Sequence, residues 1–144
     1  MAGKRWFIVA ALLGFSLASA APALWAGPSA PAAASAALST VTKTANYSVT
    51  AGDVAKHFNN IGAAGEVDFS LPAAAAGLNY CFLVDAAQIV KVVAAAGEKI
   101  AVGATNSAAG GNVTANTAYS EICLEAHKAA QWVVRSSTGA WTVN

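Results

Sequence analysis

The chain predicts an all-β fold: a small antiparallel sandwich or barrel-like domain with an extended N-terminal arm. Three observations carry that expectation. Short apolar–polar alternations recur at roughly 8–12-residue spacing from residue 44 onward. Gly- and Asn-containing breaks separate them, and no long segment keeps a 3.6-residue apolar period. At 144 residues the chain is long enough for one ordinary domain.

The elements follow in order. Tyr47–Thr50 (YSVT) alternates, and Gly52-Asp53 turns the chain. Val67, Phe69 and Leu71 share one face of the next strand, with Asp68 and Ser70 on the other. Pro72 is placed to start a single helical turn over residues 73–76, with Gly77 as its stop. NYCFLV and QIVKVV (Gln88–Val93) are further strands joined by a short link at 85–87, and KIAV is a brief fourth. NSAAGGN (106–112) has nothing to bury and reads as a loop. Residues 120–127 alternate again. The tail QWVVRSSTGAWTVN then reads as a hairpin turning at Ser137-Thr138-Gly139, with Trp132 and Trp141 flanking the turn. The Ala-Gly breaks are unevenly spaced, so no solenoid is expected.

The N-terminal segment has the form of a secretory signal. Lys4 and Arg5 precede an apolar stretch from Trp6 to Leu17, and Ala18-Ser19-Ala20 supplies the small-x-small cleavage pattern. Cleavage is expected after Ala20, with Ala26 as the later alternative. The competing reading is an uncleaved anchor, against which Pro22 and its small neighbours argue. Membrane contact is therefore expected only through residues 1–20 before cleavage, and the mature protein is placed outside the cell, on its surface or in the periplasm. Residues 21–43, rich in Ala, Pro and Ser, form the arm or linker, and 44–144 form the β-domain.

Losing Lys4 and Arg5 turns 8 basic against 7 acidic residues into six against seven. A nearly neutral domain with no basic cluster lacks the electrostatic footprint of a nucleic-acid binder. Only 10% of the chain is charged, and so sparsely charged a surface favours self-association, hence a homo-oligomer or polymer. Cys81 and Cys123 are the two cysteines. In an exported chain an even pair reads as one disulfide, and alternation puts both on the less apolar faces of their strands.

Candidate chemistry is thin. His57 and His127 lie in strands with no metal-ligand spacing to the cysteines, and read as packed or rim residues. Glu66/Asp68 and Glu121/Glu125 read as solvated faces, since no calcium-type loop accompanies them. No phosphate loop or nucleophile elbow occurs. The expectation is a protein that is not an enzyme, with no cofactor and no metal.

The stretch YSVTAGDVAKHFNNIGAAGEVDFSLPAAAAGLNYCFLV resembles a β-rich domain of phage and prophage structural proteins, including head-fibre, decoration and tail-associated types. Tyr47, Val49, Thr50, Asp53, Phe58, Asn60, Gly62, Ala63, Gly65, Phe69, Leu71, Pro72, Gly77, Tyr80 and Phe82 carry the likeness, and WVVRSSTGAW resembles its closing hairpin. The resemblance implies an antiparallel β-fold used in virion surface assemblies, often as homotrimers, and it implies no catalytic residue. The secretory signal departs from that pattern, and suggests a domain adopted for a cell's own surface.

Two functions are expected on these grounds. The first is an exported structural domain that self-associates into an oligomer or filament. Thr40, Val41, Thr42 and Thr44 would act as an assembly arm added to a neighbour's sheet edge, or the same segment is a plain tether. The second is a secreted glycan-binding or adhesion module, with Trp132 and Trp141, joined by Tyr47 and Tyr119, as its aromatic surface.

Overall fold

In the computed structural model, which describes residues 38–144, twelve strands build two mixed sheets packed face to face. Strands β1 (Ser39–Thr42), β2 (Tyr47–Ser48), β3 (Lys56–Asn59), β4 (Val67–Ser70), β5 (Asn79–Leu83) and β6 (Val90–Val93) alternate strictly between the two layers. β7 (Lys99–Val102) and β8 (Thr105–Asn106) follow, then β9 (Asn112–Ala115), the long β10 (Glu121–Lys128) and β11 (Gln131–Thr138), and finally β12 (Thr142–Val143). The seven-stranded sheet runs β1-β3-β5-β10-β11-β7-β8, and the five-stranded sheet runs β12-β9-β6-β4-β2. No helix among the described residues is long and apolar enough to cross a membrane.

The all-β class agrees with the sequence, but the pairing is mixed rather than antiparallel. β1, β3 and β5 pair in parallel, as do β2, β4 and β6, and β11 with β7. The first six strands thus wind as a flattened coil of three turns, a solenoid-like element that the uneven breaks conceal. Strands begin at residues 39, 56 and 79 in one sheet and at 47, 67 and 90 in the other, so no fixed period marks the sequence. Ahead of residue 44, the described residues 39–42 already form β1, paired with β3 in the seven-stranded sheet. The expected signal at 1–20 and most of the expected arm, 21–37, lie outside the described residues.

Alternation dictates the core. Val67 and Phe69 of β4 and Val90 and Val92 of β6 point inward from one layer, and Phe58, Tyr80, Phe82, Ile122 and Leu124 from the other, all essentially inaccessible. Phe58, Phe69 and Phe82 meet at ring-centroid distances of 5.1–5.5 Å, the range in which aromatic pairs add about 0.5–1.5 kcal/mol beyond area burial. Trp132 packs on Tyr80 and its indole N–H donates to buried Glu98 Oε2 at 3.1 Å.

Side chains satisfy the corners of the coil. After β2, a 3-10 turn (Ala51–Asp53) brings the buried Asp53 carboxylate under four donors. These are the Thr50 N–H and hydroxyl (2.9 and 2.8 Å), the Tyr47 hydroxyl (3.2 Å) and Lys56 Nζ (2.9 Å). Asn60, wholly buried, accepts from the Asp85 and Ala86 N–H groups and donates to the Ala86 carbonyl, fastening one turn of the coil to the next. Asn60 also opens a turn closed by Ala63 N–H, with Gly62 at φ 76° where an L side chain would be strained.

Two expected local elements differ. Residues 73–76 form no helical turn. The Ala74 N–H is drawn to Glu98 Oε1 at 2.8 Å, which holds the segment open until the turn closed by Leu78 N–H on the Ala75 carbonyl. The tail is not a hairpin either. β11 pairs with β10, and the chain crosses at Gly139 to place β12 beside β9 in the other sheet. Gly139 sits at φ 74° with Ser120 Oγ only 2.2 Å from where a Cβ would stand, so a side chain there would block the crossing.

Burial of Asp53 opposes its ionisation, but the hydrogen bonds from Thr50, Lys56 and Tyr47 outweigh it and hold the carboxyl well below the usual carboxylate range. A depressed folded pKa stabilises the fold above the unfolded value, about 4, and that contribution is lost as pH falls from there toward the folded value. Urea denaturation at a series of pH values below about 5 should therefore show falling stability, with a shallower fall in Asp53→Asn.

Candidate functional site

Outward-facing residues of the five-stranded sheet create its polar face. Asp68, Lys91, Thr114 and Thr142 stand in direct register across β4, β6, β9 and β12, each flanked in sequence by inward apolar residues. A cleft of about 470 Å³ opens along this face, lined by Glu66, Ile89, Lys91, Asn112, Thr114, Ala115, Asn116, Ala140, Thr142 and Asn144. Asn144 Nδ2 donates to Asn112 Oδ1 at 3.0 Å, fixing two of the carboxamides in place.

Lys91 is the one cation among the described residues that line the cleft. It bonds Glu66 and lies 3.1 Å from Asp68 Oδ1. Those two carboxylates raise the ammonium pKa, and Lys91 in turn lowers that of Glu66. The ammonium stays charged and occupied, so it is a poor nucleophile or base. The remaining lining offers hydroxyls, carboxamides and small apolar patches, which suit hydrogen bonding to a polar ligand rather than bond making. Alternation placed Asp68 on the polar face of its strand, and the same reasoning could have marked Lys91. Thr114 was missed because Asn112–Ala115 is too short and small-sided to stand out beside a glycine-rich loop.

A second constellation lies on the outward face of the seven-stranded sheet. Cys81 of β5 and Cys123 of β10 are directly opposed and form the expected disulfide, with Cα atoms 4.0 Å apart. His57 of β3 is in register with Cys81 on the other side, and Glu121 lies two residues before Cys123. His57 Nε2 is 3.9 Å from Glu121 Oε2, and Glu121 Oε1 is 3.4 Å from Cys123 Sγ. A disulfide sulfur carries no proton, so the latter is a contact rather than a hydrogen bond.

The expected aromatic surface is not assembled. Trp132 is wholly buried, its ring filling the core beside Tyr80. Trp141 is half-buried, its indole N–H donating to the Glu121 and Thr138 carbonyls. Tyr47 packs on Phe58 beneath the Lys43 ammonium. Tyr119 alone stands free, 76% exposed at φ 65°. Of the expected assembly arm, Thr40, Val41 and Thr42 lie in β1 against their own chain's β3, and Thr44 is exposed in the bend that follows. Val41 is the reason: it sits opposite Phe58 and packs on the core. His127 is exposed near the end of β10, and Arg135 pairs with Glu125 in the open.

The disulfide closes a loop with a sequence separation of 42 residues. Chain-entropy reasoning assigns such a closure about 4 kcal/mol. Reduction, or the double change Cys81→Ala/Cys123→Ala, should lower urea-unfolding stability by about that amount while the far-UV spectrum without urea stays that of the oxidised protein.

No protein-family model matches this chain, and no curated protein matches it.

Proposed function

We propose that the protein is a non-catalytic structural domain, exported and oxidised, that associates with copies of itself outside the cytoplasm. The observation that carries this reading is the edge of the seven-stranded sheet. β1 is the longest of the four edge strands, at four residues against two for β2, β8 and β12. Very short edges resist further pairing, and so do edges bearing charge, proline or a bulge. Ser39-Thr40-Val41-Thr42 has none of these, and among the described residues no strand pairs with its outer side. The sparse charge, the disulfide and the resemblance to virion surface domains support the same reading. The assembly arm becomes, in this reading, an edge that receives a neighbour while staying in its own sheet.

Light scattering on the oxidised chain from Ala21 onward should give a mass of several chains, and Thr40→Lys/Thr42→Lys should return it to one chain. These lysines leave Val41 on the core, so the monomer should keep its unfolding midpoint. A single-chain mass for the unsubstituted protein would overturn self-association.

The cleft supports a second reading, a glycan-binding module. Its side chains pair hydroxyl and carboxamide groups with the apolar Ile89, Ala115 and Ala140, matching the alternating O–H and C–H faces of a sugar. Glu66 and Asp68 outnumber Lys91, which favours neutral over acidic saccharides. Calorimetric titration with neutral cello-, malto- and chito-oligosaccharides should show binding that falls about fivefold in Thr114→Val, the effect of one lost hydrogen bond of about 1 kcal/mol. Binding that is unchanged by Thr114→Val would remove the cleft from this role.

A further inference from the structure

Four side chains with metal-ligating atoms converge on one patch of the seven-stranded sheet: His57, Cys81, Glu121 and Cys123. They come from three adjacent strands, and positions 57, 81 and 123 stand in one cross-strand row. The ligand atoms of Cys81, Glu121 and Cys123 lie within 4.8 Å of one another. His57 Nε2 approaches Glu121 to 3.9 Å, yet it is buried and makes no hydrogen bond among the described residues. A buried imidazole nitrogen without a donor or acceptor is a feature the oxidised fold leaves unexplained.

While the disulfide is closed, its sulfurs are neutral and poor ligands. We propose that on reduction these four residues form a tetrahedral site for a divalent borderline-soft cation, zinc above all, with two thiolates, one imidazole and one carboxylate. Zinc takes sulfur at about 2.3 Å and nitrogen or oxygen at about 2.0–2.2 Å, which puts neighbouring ligand atoms about 3.3–3.8 Å apart in a tetrahedron. The Glu121–Cys123 separation of 3.4 Å and the His57–Glu121 separation of 3.9 Å are close to that spacing already. The two separations run to different oxygens of the Glu121 carboxylate, and His57 stands outside the 4.8 Å group formed by the other three. Once the bond is cut, the sulfurs must therefore part and the imidazole must swing toward them. Two thiolates disfavour magnesium and calcium, which want oxygen donors.

The chemistry balances with a named reductant. A phosphine or a dithiol delivers two electrons to the S–S bond, and two protons complete the thiols. The phosphine leaves as its oxide with water's oxygen, or the dithiol leaves as a disulfide. Metal binding then displaces both thiol protons to solvent. Bound metal and disulfide are mutually exclusive closures of the same two strands, so the metal-loaded form resists reoxidation.

The test uses cobalt(II), a spectroscopic stand-in for zinc, with the chain from Ala21 onward reduced by a water-soluble phosphine. Circular dichroism is followed in the same titration. Tetrahedral ligand-field bands and a thiolate-to-cobalt charge-transfer band should saturate at one ion per chain, on a chain with β-sheet dichroism, and equimolar zinc should erase them. The oxidised chain should show neither band. His57→Ala and Glu121→Gln, whose oxidised forms keep the native dichroism, should each weaken cobalt binding at least about tenfold. A reduced chain with no saturable band, cobalt held by a chain that stays unfolded, or affinity unmoved by His57→Ala would each overturn the proposal.

Discussion

The contact of Phe58, Phe69 and Phe82 is the constraint on which the rest of the molecule depends. Phe58 and Phe82 come from neighbouring parallel strands of one sheet and Phe69 from the facing sheet, with all three rings at van der Waals packing distance. Because side chains alternate along a strand, fixing these three inward fixes every neighbour. His57, Cys81, Asp68 and Ser70 must then face outward. The polar row above the cleft and the cysteine–histidine patch are the outer sides of strands whose inner sides are set by the aromatic core.

Winding a chain between two layers leaves polar backbone at every corner, and a few buried side chains absorb it. Asp53 gathers the turn after β2, and Asn60 joins the 60–63 turn to the 85–88 loop. Glu98 accepts from Ala74 N–H and the Trp132 indole, two groups far apart in sequence. Each replaces a water contact that burial removes, and each would leave orphaned donors if lost. The stretch from Tyr47 to Phe82 is made largely of these same groups. Tyr47, Thr50, Asp53, Asn60 and Gly62 make corners, while Phe58, Phe69, Tyr80 and Phe82 fill the core. That stretch therefore specifies a way of folding, which is why it is rich in aromatic and turn residues.

That division explains what could be read from the chain alone. β4, β5 and β10 were legible because their alternation is strong, and the disulfide because two cysteines have only one partner each. Pairing order was not legible. Parallel neighbours are set by contacts between segments about 20 residues apart, and alternation is the same for a strand in either direction. The Pro72 segment misled because its local signals favour a helical start, while a distant Glu98 decides its backbone. Trp132 and Trp141 misled because proximity in sequence across a Gly suggested a hairpin, whereas the chain changes sheets between them. The candidate sites were the least legible. Residues 68, 91, 114 and 142 become neighbours only through sheet register, as do 57, 81 and 123.

The strict alternation of β1 to β6 between layers has a kinetic side. None of these strands touches the one before it as a sheet partner, so among the described residues the stretch from Ser39 to Val93 contains no hairpin to nucleate it. Tight antiparallel adjacency arrives only after them, briefly with β7 and β8 and at length with β10 and β11. On a chain that emerges from its N terminus, β5 is present long before the strand that pairs with its far side. Cys81 must therefore wait, as an unprotected thiol on an unfinished sheet edge, until Cys123 has been delivered 42 residues later. In the finished fold the covalent closure therefore ties together two strands that the chain delivers far apart, and it holds them in register.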